Sequence, residues 1–322
     1  MKSTAYAKDT IAIASTIGEN YALPLNVTAA SLLKNKGRSF KVDWYVFESD
    51  LTAETKSILE RSYQGTDITF HWVHQPLSEF DHLPQGGRGV ARMYQRLAIA
   101  DYFPPELTTL LYLDADLLIL GNIEELMSTD LEDHVVGAVQ DMAVPTVSSP
   151  LGLHDFQKMN LSPDKPYFNA GVLLMNLTRW KQEGVTERAM AYLESARRVR
   201  LLDQDALNAV LHSVWKPLHY RWNVIGSIAG RCFFKAKYLN KKQYMESLSD
   251  PAIIHFGGYM KPWLIQTLGN KWDDEYNKVL ADQELDFAYQ RTAKAMFYSL
   301  YDRYFRSCLY PVERAIWKHL YS

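Results

Sequence analysis

Apolar residues fall along this chain in short runs that alternate with stretches of helical period. Ile11 to Ser15 reads as a buried strand. Asn26 to Lys36 places Val27, Ala30 and Leu33 on one helical face. Val42 to Phe47 is β-branched and aromatic, which predicts a second strand. Ala53 to Tyr63 has a helical pattern, and Gly65 ends it. Asp67 to Val73 reads as a third strand, Arg92 to Tyr102 as a helix closed by Pro104 and Pro105, and Leu110 to Leu113 as a fourth strand. This order predicts an α/β fold with helices packed on a mostly parallel sheet. Ligands of such sheets bind beyond the carboxyl ends of the strands.

Between these elements, Gly86-Gly87-Arg88-Gly89 reads as a loop, without the spacing of a dinucleotide fingerprint. The stretch from Ala143 to Pro166 is long for a connection, and long loops are often functional. After about residue 285 the composition turns aromatic and basic, so residues 1–284 are expected to form the catalytic domain and 285–322 a helical tail. That tail carries six Lys or Arg against three Asp or Glu. Phe297, Leu300, Tyr301, Tyr304, Phe305, Cys308 and Leu309 recur there at helical spacing. It fits a helix docked on the domain or a partner, and equally a monotopic anchor whose Arg303, Arg306, Arg314 and Lys318 meet an anionic membrane surface.

The bulk numbers narrow the classes. With 322 residues, 47% of them hydrophobic, the chain can bury a large core. A formal net charge of -2 argues against a nucleic-acid partner. Cys232 and Cys308, far apart, form no disulfide framework or zinc motif, which fits a reducing compartment. The short IAIAS run reads as a strand rather than a secretory signal. No apolar run reaches the ~18 residues that a spanning helix needs. The expected location is cytoplasmic, either free or peripheral on the inner face of the cell membrane.

The candidate chemistry begins in LLYLDADLLIL, where Asp114 and Asp116 interrupt an apolar run. In extended chain two carboxylates one residue apart point to the same side. Their repulsion in apolar surroundings is relieved by a divalent cation, although a bare pair also occurs at strand ends that cap a helix or face water. PAIIHFGGYMKPW reads as a buried strand ending at His255, a core histidine or a metal ligand, followed by glycines that let backbone approach a ligand. Lys261 offers a point charge for a phosphate. Oxygen ligands with one imidazole suit Mn²⁺ better than Mg²⁺.

These residues, together with NYALPL, MYQRL, YFNAGVLLMNLTRW and DQDALN, give a chain that resembles glycosyltransferase family 8 over roughly residues 10 to 265. That family of retaining enzymes includes bacterial lipopolysaccharide galactosyltransferases and glycogenin. The resemblance implies the GT-A fold, a Rossmann-like, mostly parallel sheet with helices on both faces. It implies that Asp114, Asp116 and His255 hold the metal, and that Lys261 and Gly258 contact the donor diphosphate. Asn20 and Tyr21 would sit at the nucleotide base, and Asp114 near the ribose. Arg96 would reach the donor sugar and its phosphate side, with Asn169, Ala170 and Gly171 bordering the transferred sugar. Asp203 and Gln204 would lie at the reaction centre, and Asp141 would help hold the sugar or acceptor. One departure stands out: where the family carries an Asp shortly before its Asn-Tyr pair, this chain has STIGENY, with Ser15, Thr16, Gly18 and Glu19.

The implied reaction is transfer of a hexose from a nucleotide-sugar, a UDP-sugar by resemblance, to a hydroxyl of a glycan, glycolipid or other acceptor. Asp203 is the nearest carboxylate for a double displacement, and the amide of Gln204 is a poor nucleophile, so a front-face route is favoured. Two other classes compete. A nucleotidyltransferase would want an early glycine-rich phosphate loop and more acidic ligands. A nucleotide-sugar-binding protein with impaired catalysis would fit the altered STIGENY stretch.

Overall fold

The computed structural model describes residues 9–37, 40–84, 88–196, 198–226, 238–258, 261–263 and 271–283. Both cysteines, Gly86 and Gly87, the residues after 283, and the expected boundary at 284/285 lie outside them. Among the described residues ten strands follow in order: β1 (Thr10–Ile17), β2 (Lys41–Glu48), β3 (Ile68–His74), β4 (Thr109–Leu113), β5 (Leu117–Ile119), β6 (Val136–Gln140), β7 (Phe168–Asn176), β8 (Trp215–Pro217), β9 (Val224–Ile225) and β10 (Ile253–His255). The helices are α1 (Ala22–Asn35), α2 (Ala53–Ser62), α3 (Arg88–Gln95), α4 (Ile123–Met127), α5 (Leu177–Gln182), α6 (Val185–Ser195), α7 (Asp203–Leu211), α8 (Lys241–Ser249) and α9 (Lys271–Ala281). The helix expected over Arg92–Tyr102 is α-helical only to Gln95 and tightens to a 3₁₀ turn over Arg96–Tyr102.

A seven-stranded sheet runs β3-β2-β1-β4-β7-β6-β8, and a three-stranded sheet runs β5-β10-β9. In the large sheet β1 pairs in parallel with β2 and β4, β2 with β3, and β6 with β8. The exception is β7, antiparallel to both β4 and β6. No helix intervenes between β6 and β7, so the chain returns without the crossover that a parallel neighbour requires. The connecting stretch packs instead as a small apolar cluster of Val144, Val147 and Leu153 with Tyr167 and Ala209. The main core sets Phe47, Tyr112, Phe168 and Leu173 against Trp180, Leu193 and Leu207 of the helices.

Helix α1 is buried nearly all round, beyond its expected apolar face. Its polar residues act as an edge strand for β5. Thr28 Oγ1 donates to Ala115 O (2.7 Å) and accepts from Leu117 N (3.2 Å). Ser31 Oγ accepts from Ile119 N (2.9 Å), and Asn35 Nδ2 donates to Ile119 O (3.0 Å). Thus backbone groups just after the acidic pair are satisfied by a helix.

The chain divides into two compact units, Met1–His255 and Phe256–Ser322. In the second, Tyr276 of α9 meets Phe256 edge-on (5.2 Å) and Trp263 at a tilt (5.6 Å). Among the described residues no helix is long and apolar enough to cross a membrane.

Candidate active site

Strand β4 ends at Leu113 and β5 begins at Leu117, so the acidic pair occupies a bend between two sheets rather than the extended strand expected. Asp114 N donates to Gly171 O (2.8 Å), tying the bend to β7. His255, the last residue of β10, pairs in register with Leu117. Its Nε2 lies 3.6 Å from Asp114 Oδ2 and 3.5 Å from Asp116 Oδ1. The ligand atoms of Asp114, Asp116 and His255 all fall within 4.8 Å of one another. Asp116 and His255 are buried. A Cβ on Gly171 would stand 2.4 Å from His255 Cε1 and 2.9 Å from Asp114 Oδ2, so glycine clears the space these side chains use. Two converging carboxylates and an imidazole nitrogen fit a divalent cation of the Mn²⁺ or Mg²⁺ kind.

Behind this cluster sits Arg96, buried rather than on the surface. Its Nη2 donates to Asp114 Oδ1 (2.8 Å), its Nη1 to Ala170 O (2.6 Å), and its Nε forms an ion pair with Asp203 Oδ2 (3.2 Å). The guanidinium lies 4.5 Å from the centre of the Tyr112 ring, and Tyr112 OH donates to Asp114 Oδ1 (2.8 Å). Burial raises the Asp203 carboxyl to about 6; Arg96 opposes that rise and Asp114 adds to it. Burial also pushes the Tyr112 phenol far up, which keeps it a donor. Asp203 opens α7, but the N-cap is Leu202, so capping is not its role.

A second network joins Asp141, just after β6, to polar residues of β7 and α7. Asp141 Oδ1 accepts from Ala143 N (2.7 Å) and Val144 N (2.9 Å). Its Oδ2 accepts from Asn169 Nδ2 (2.9 Å) and Gln204 Nε2 (3.2 Å). Gln204 Oε1 accepts from Ala170 N (2.9 Å). Asn169 Oδ1 accepts from Gly171 N (2.9 Å) and from Asn223 Nδ2 (2.8 Å), and Asn223 Oδ1 meets His255 Nδ1 at 3.0 Å. Sequence reasoning missed Asn223. Its signal was a lone amide between Trp222 and Val224 in an apolar stretch.

At the end of β1, Ser15 is buried in the sheet, donating to Leu113 O (2.6 Å) and accepting from Trp44 Nε1 (3.0 Å). The Glu19 carboxylate accepts from Thr52 N (3.0 Å) and the Thr55 hydroxyl at the start of α2. It serves a helix N-terminus, which favours negative charge. Asn20 is exposed and Tyr21 half-buried. In the second unit, Lys261 is buried; its Nζ donates to Phe256 O (2.7 Å) and lies 5.5 Å from the centre of the Trp263 ring. Gly258 takes a φ of 87°, the left-handed region where glycine is at ease.

The model of the family described as "Glycosyl transferase family 8" matches residues 12–267. The chain belongs to that family. It is a glycosyltransferase of the GT-A fold. General stress protein A of Bacillus subtilis is 30% identical over 82% of this chain and 91% of its own length. A lipopolysaccharide 1,2-glucosyltransferase of Escherichia coli is 29% identical over 80% of this chain and 74% of its own. The galactosyltransferase LgtC, solved with donor and acceptor sugar analogues, superposes with a TM-score of 0.73 over 86% of this chain and 98% of its own, at 22% identity. The family-8 motifs thus sit on the bend after β4, on β7, at the start of α7 and at the end of β10.

Proposed function

We propose that this family-8 enzyme transfers a hexose from a UDP-sugar to a hydroxyl of a glycan or glycolipid, with retention of configuration and with Mn²⁺ as its metal. The observation that carries this reading is the convergence of Asp114, Asp116 and His255 at the carboxyl end of β4. A cation held there would supply Lewis-acid neutralisation of charge on the departing diphosphate. Arg96 holds Asp114 in place and brings a fixed positive charge to the same spot. Asn20 and Tyr21 would meet the base, and Lys261 with Gly258 the diphosphate; resemblance supports these assignments. Asn169, Ala170 and Gly171 would border the sugar.

The bonding supports a front-face route, in which the departing phosphate oxygen takes the proton of the acceptor hydroxyl. The carbonyl oxygen of Gln204 is committed to Ala170 N. The carboxylate of Asp203 is buried and ion-paired with Arg96, and that of Asp205 accepts from Tyr167 OH (2.6 Å), Arg200 N (2.8 Å) and Leu201 N (3.1 Å). Each carboxylate would have to give up these partners to attack carbon. The test is release of UDP from a panel of UDP-sugars. Activity is expected to vanish with a chelator, to return best with Mn²⁺, and to be lost in a folded Asp116→Asn variant. Full activity in excess chelator overturns the metal assignment.

A further inference from the structure

Proton bookkeeping along the second network determines more than its own stability. A carboxylate only accepts, so Asp141 Oδ2 requires an N–H from Asn169. The backbone N–H of Gly171 only donates, so it requires the carbonyl oxygen of the same amide. Both demands orient Asn169 the same way. Its Oδ1 then requires a donor from Asn223, which turns the carbonyl of Asn223 toward His255. An acceptor 3.0 Å from Nδ1 requires the proton to sit there. In the neutral ring the lone pair is then left on Nε2, the atom that faces Asp114 and Asp116.

We propose that Asn223 is the positioning residue for His255 and that its amide is set from behind by Asn169, so that the Asp141 carboxylate just after β6 and the backbone of β7 fix the imidazole in its metal-ligating tautomer. Such a partner usually raises metal affinity by orienting the ring. Here it is a neutral amide, and so must itself be held the right way round. The inference rests on the metal reading above only for its consequence; the tautomer is a property of the metal-free protein. It also connects the two groups of site residues. The amide that borders the donor sugar is two hydrogen bonds from the metal ligand.

The experiment uses the full chain, ¹⁵N-labelled at histidine, in alkaline metal-free buffer where imidazoles are neutral. Long-range ¹H–¹⁵N spectra report the tautomer, and His255 is assigned by signals lost in His255→Gln. Wild type is expected to show Nδ1–H. Asn223→Leu and Asn169→Ala are expected to shift the ring toward Nε2–H and to weaken Mn²⁺ binding, read from the electron spin resonance of free Mn²⁺, by about 10–100-fold. Asn223→Asp keeps an acceptor at Nδ1 and is expected to retain the tautomer. An unchanged tautomer in Asn223→Leu overturns the positioning role, and an unchanged one in Asn169→Ala overturns the control from behind. If wild type binds no Mn²⁺ while the tautomer responds as stated, the metal reading fails and the relay stands. Should Asn223→Leu not fold, Asn169→Ala and Asn223→Asp still decide the proposal.

Discussion

At the scale of single residues, the site depends on a side chain that is missing at Gly171 as well as on those that converge beside it. Gly171→Ala would drive a methyl group into the His255 ring and toward Asp114. Its expected cost is about 1–3 kcal/mol of stability, as overpacking usually brings, with loss of Mn²⁺ binding; calorimetric titration and a denaturant curve read both. Asp203 gives a pH signature. Its carboxyl is raised from 3.8 to about 6, so between those values the folded protein holds a proton that the unfolded chain has released. Stability from this group therefore falls as pH climbs from about 4 to 6, and the penalty is complete above that. Asp203→Asn lacks this dependence. Its stability relative to wild type is expected to improve by about 2 kcal/mol between pH 4 and pH 7 in metal-free denaturant unfolding. The sequence made Asp114, Asp116 and His255 legible, because carboxylates and imidazole stand out in apolar runs. It did not expose Asn223, which acts only once the segment before β9 meets β7 and the end of β10, or Tyr112, which acts only once Arg96 packs on β4. Nor did it tell that Glu19 is committed to α2, since Thr52 and Thr55 lie more than thirty positions away in the chain.

At the scale of elements, the alternating pattern of the first half was readable to within a residue or two for β1 to β4, since β1, β2 and β4 are largely apolar runs and β3 alternates apolar with polar residues. The direction of β7 was not, because apolar content says nothing of polarity, and the connection before it carries no helical period. The apolar stripe of α1 was seen, but its buried Thr28 and Ser31 were not, because a helix that stands in for a strand needs hydroxyls where a packing helix would have methyls. The start of α7 shows how one turn places Asp203 and Gln204. Leu202 has φ 50° and ψ -114°, a conformation costly for a side chain, and the Asp205 carboxylate clamps the two backbone N–H groups just before it. Strain here is expected to deepen the preference for glycine over alanine that an N-cap already has. Leu202→Gly should be more stable than Leu202→Ala by about 1–2 kcal/mol, measured as the difference in thermal unfolding.

At the scale of the whole molecule, the tail after residue 284 and its basic, aromatic residues lie outside the described structure. An anchoring role predicts that the full chain sediments with anionic liposomes at low salt, and that deleting residues 285–322 frees it while UDP release from donor hydrolysis continues. Failure of the full chain to bind such liposomes leaves the docked-helix reading. The last feature is the bend itself. Asp114 directly follows the last residue of β4 in the seven-stranded sheet, whereas Asp116 directly precedes β5, and His255 ends β10, in the three-stranded one. Closing all three on a single ion would work as a rivet through two plates. Neither sheet could then slide without straining the other. The same atoms that prepare a leaving group would make the catalytic ion a mechanical part of the fold, and chelation would loosen a joint as well as stop a reaction.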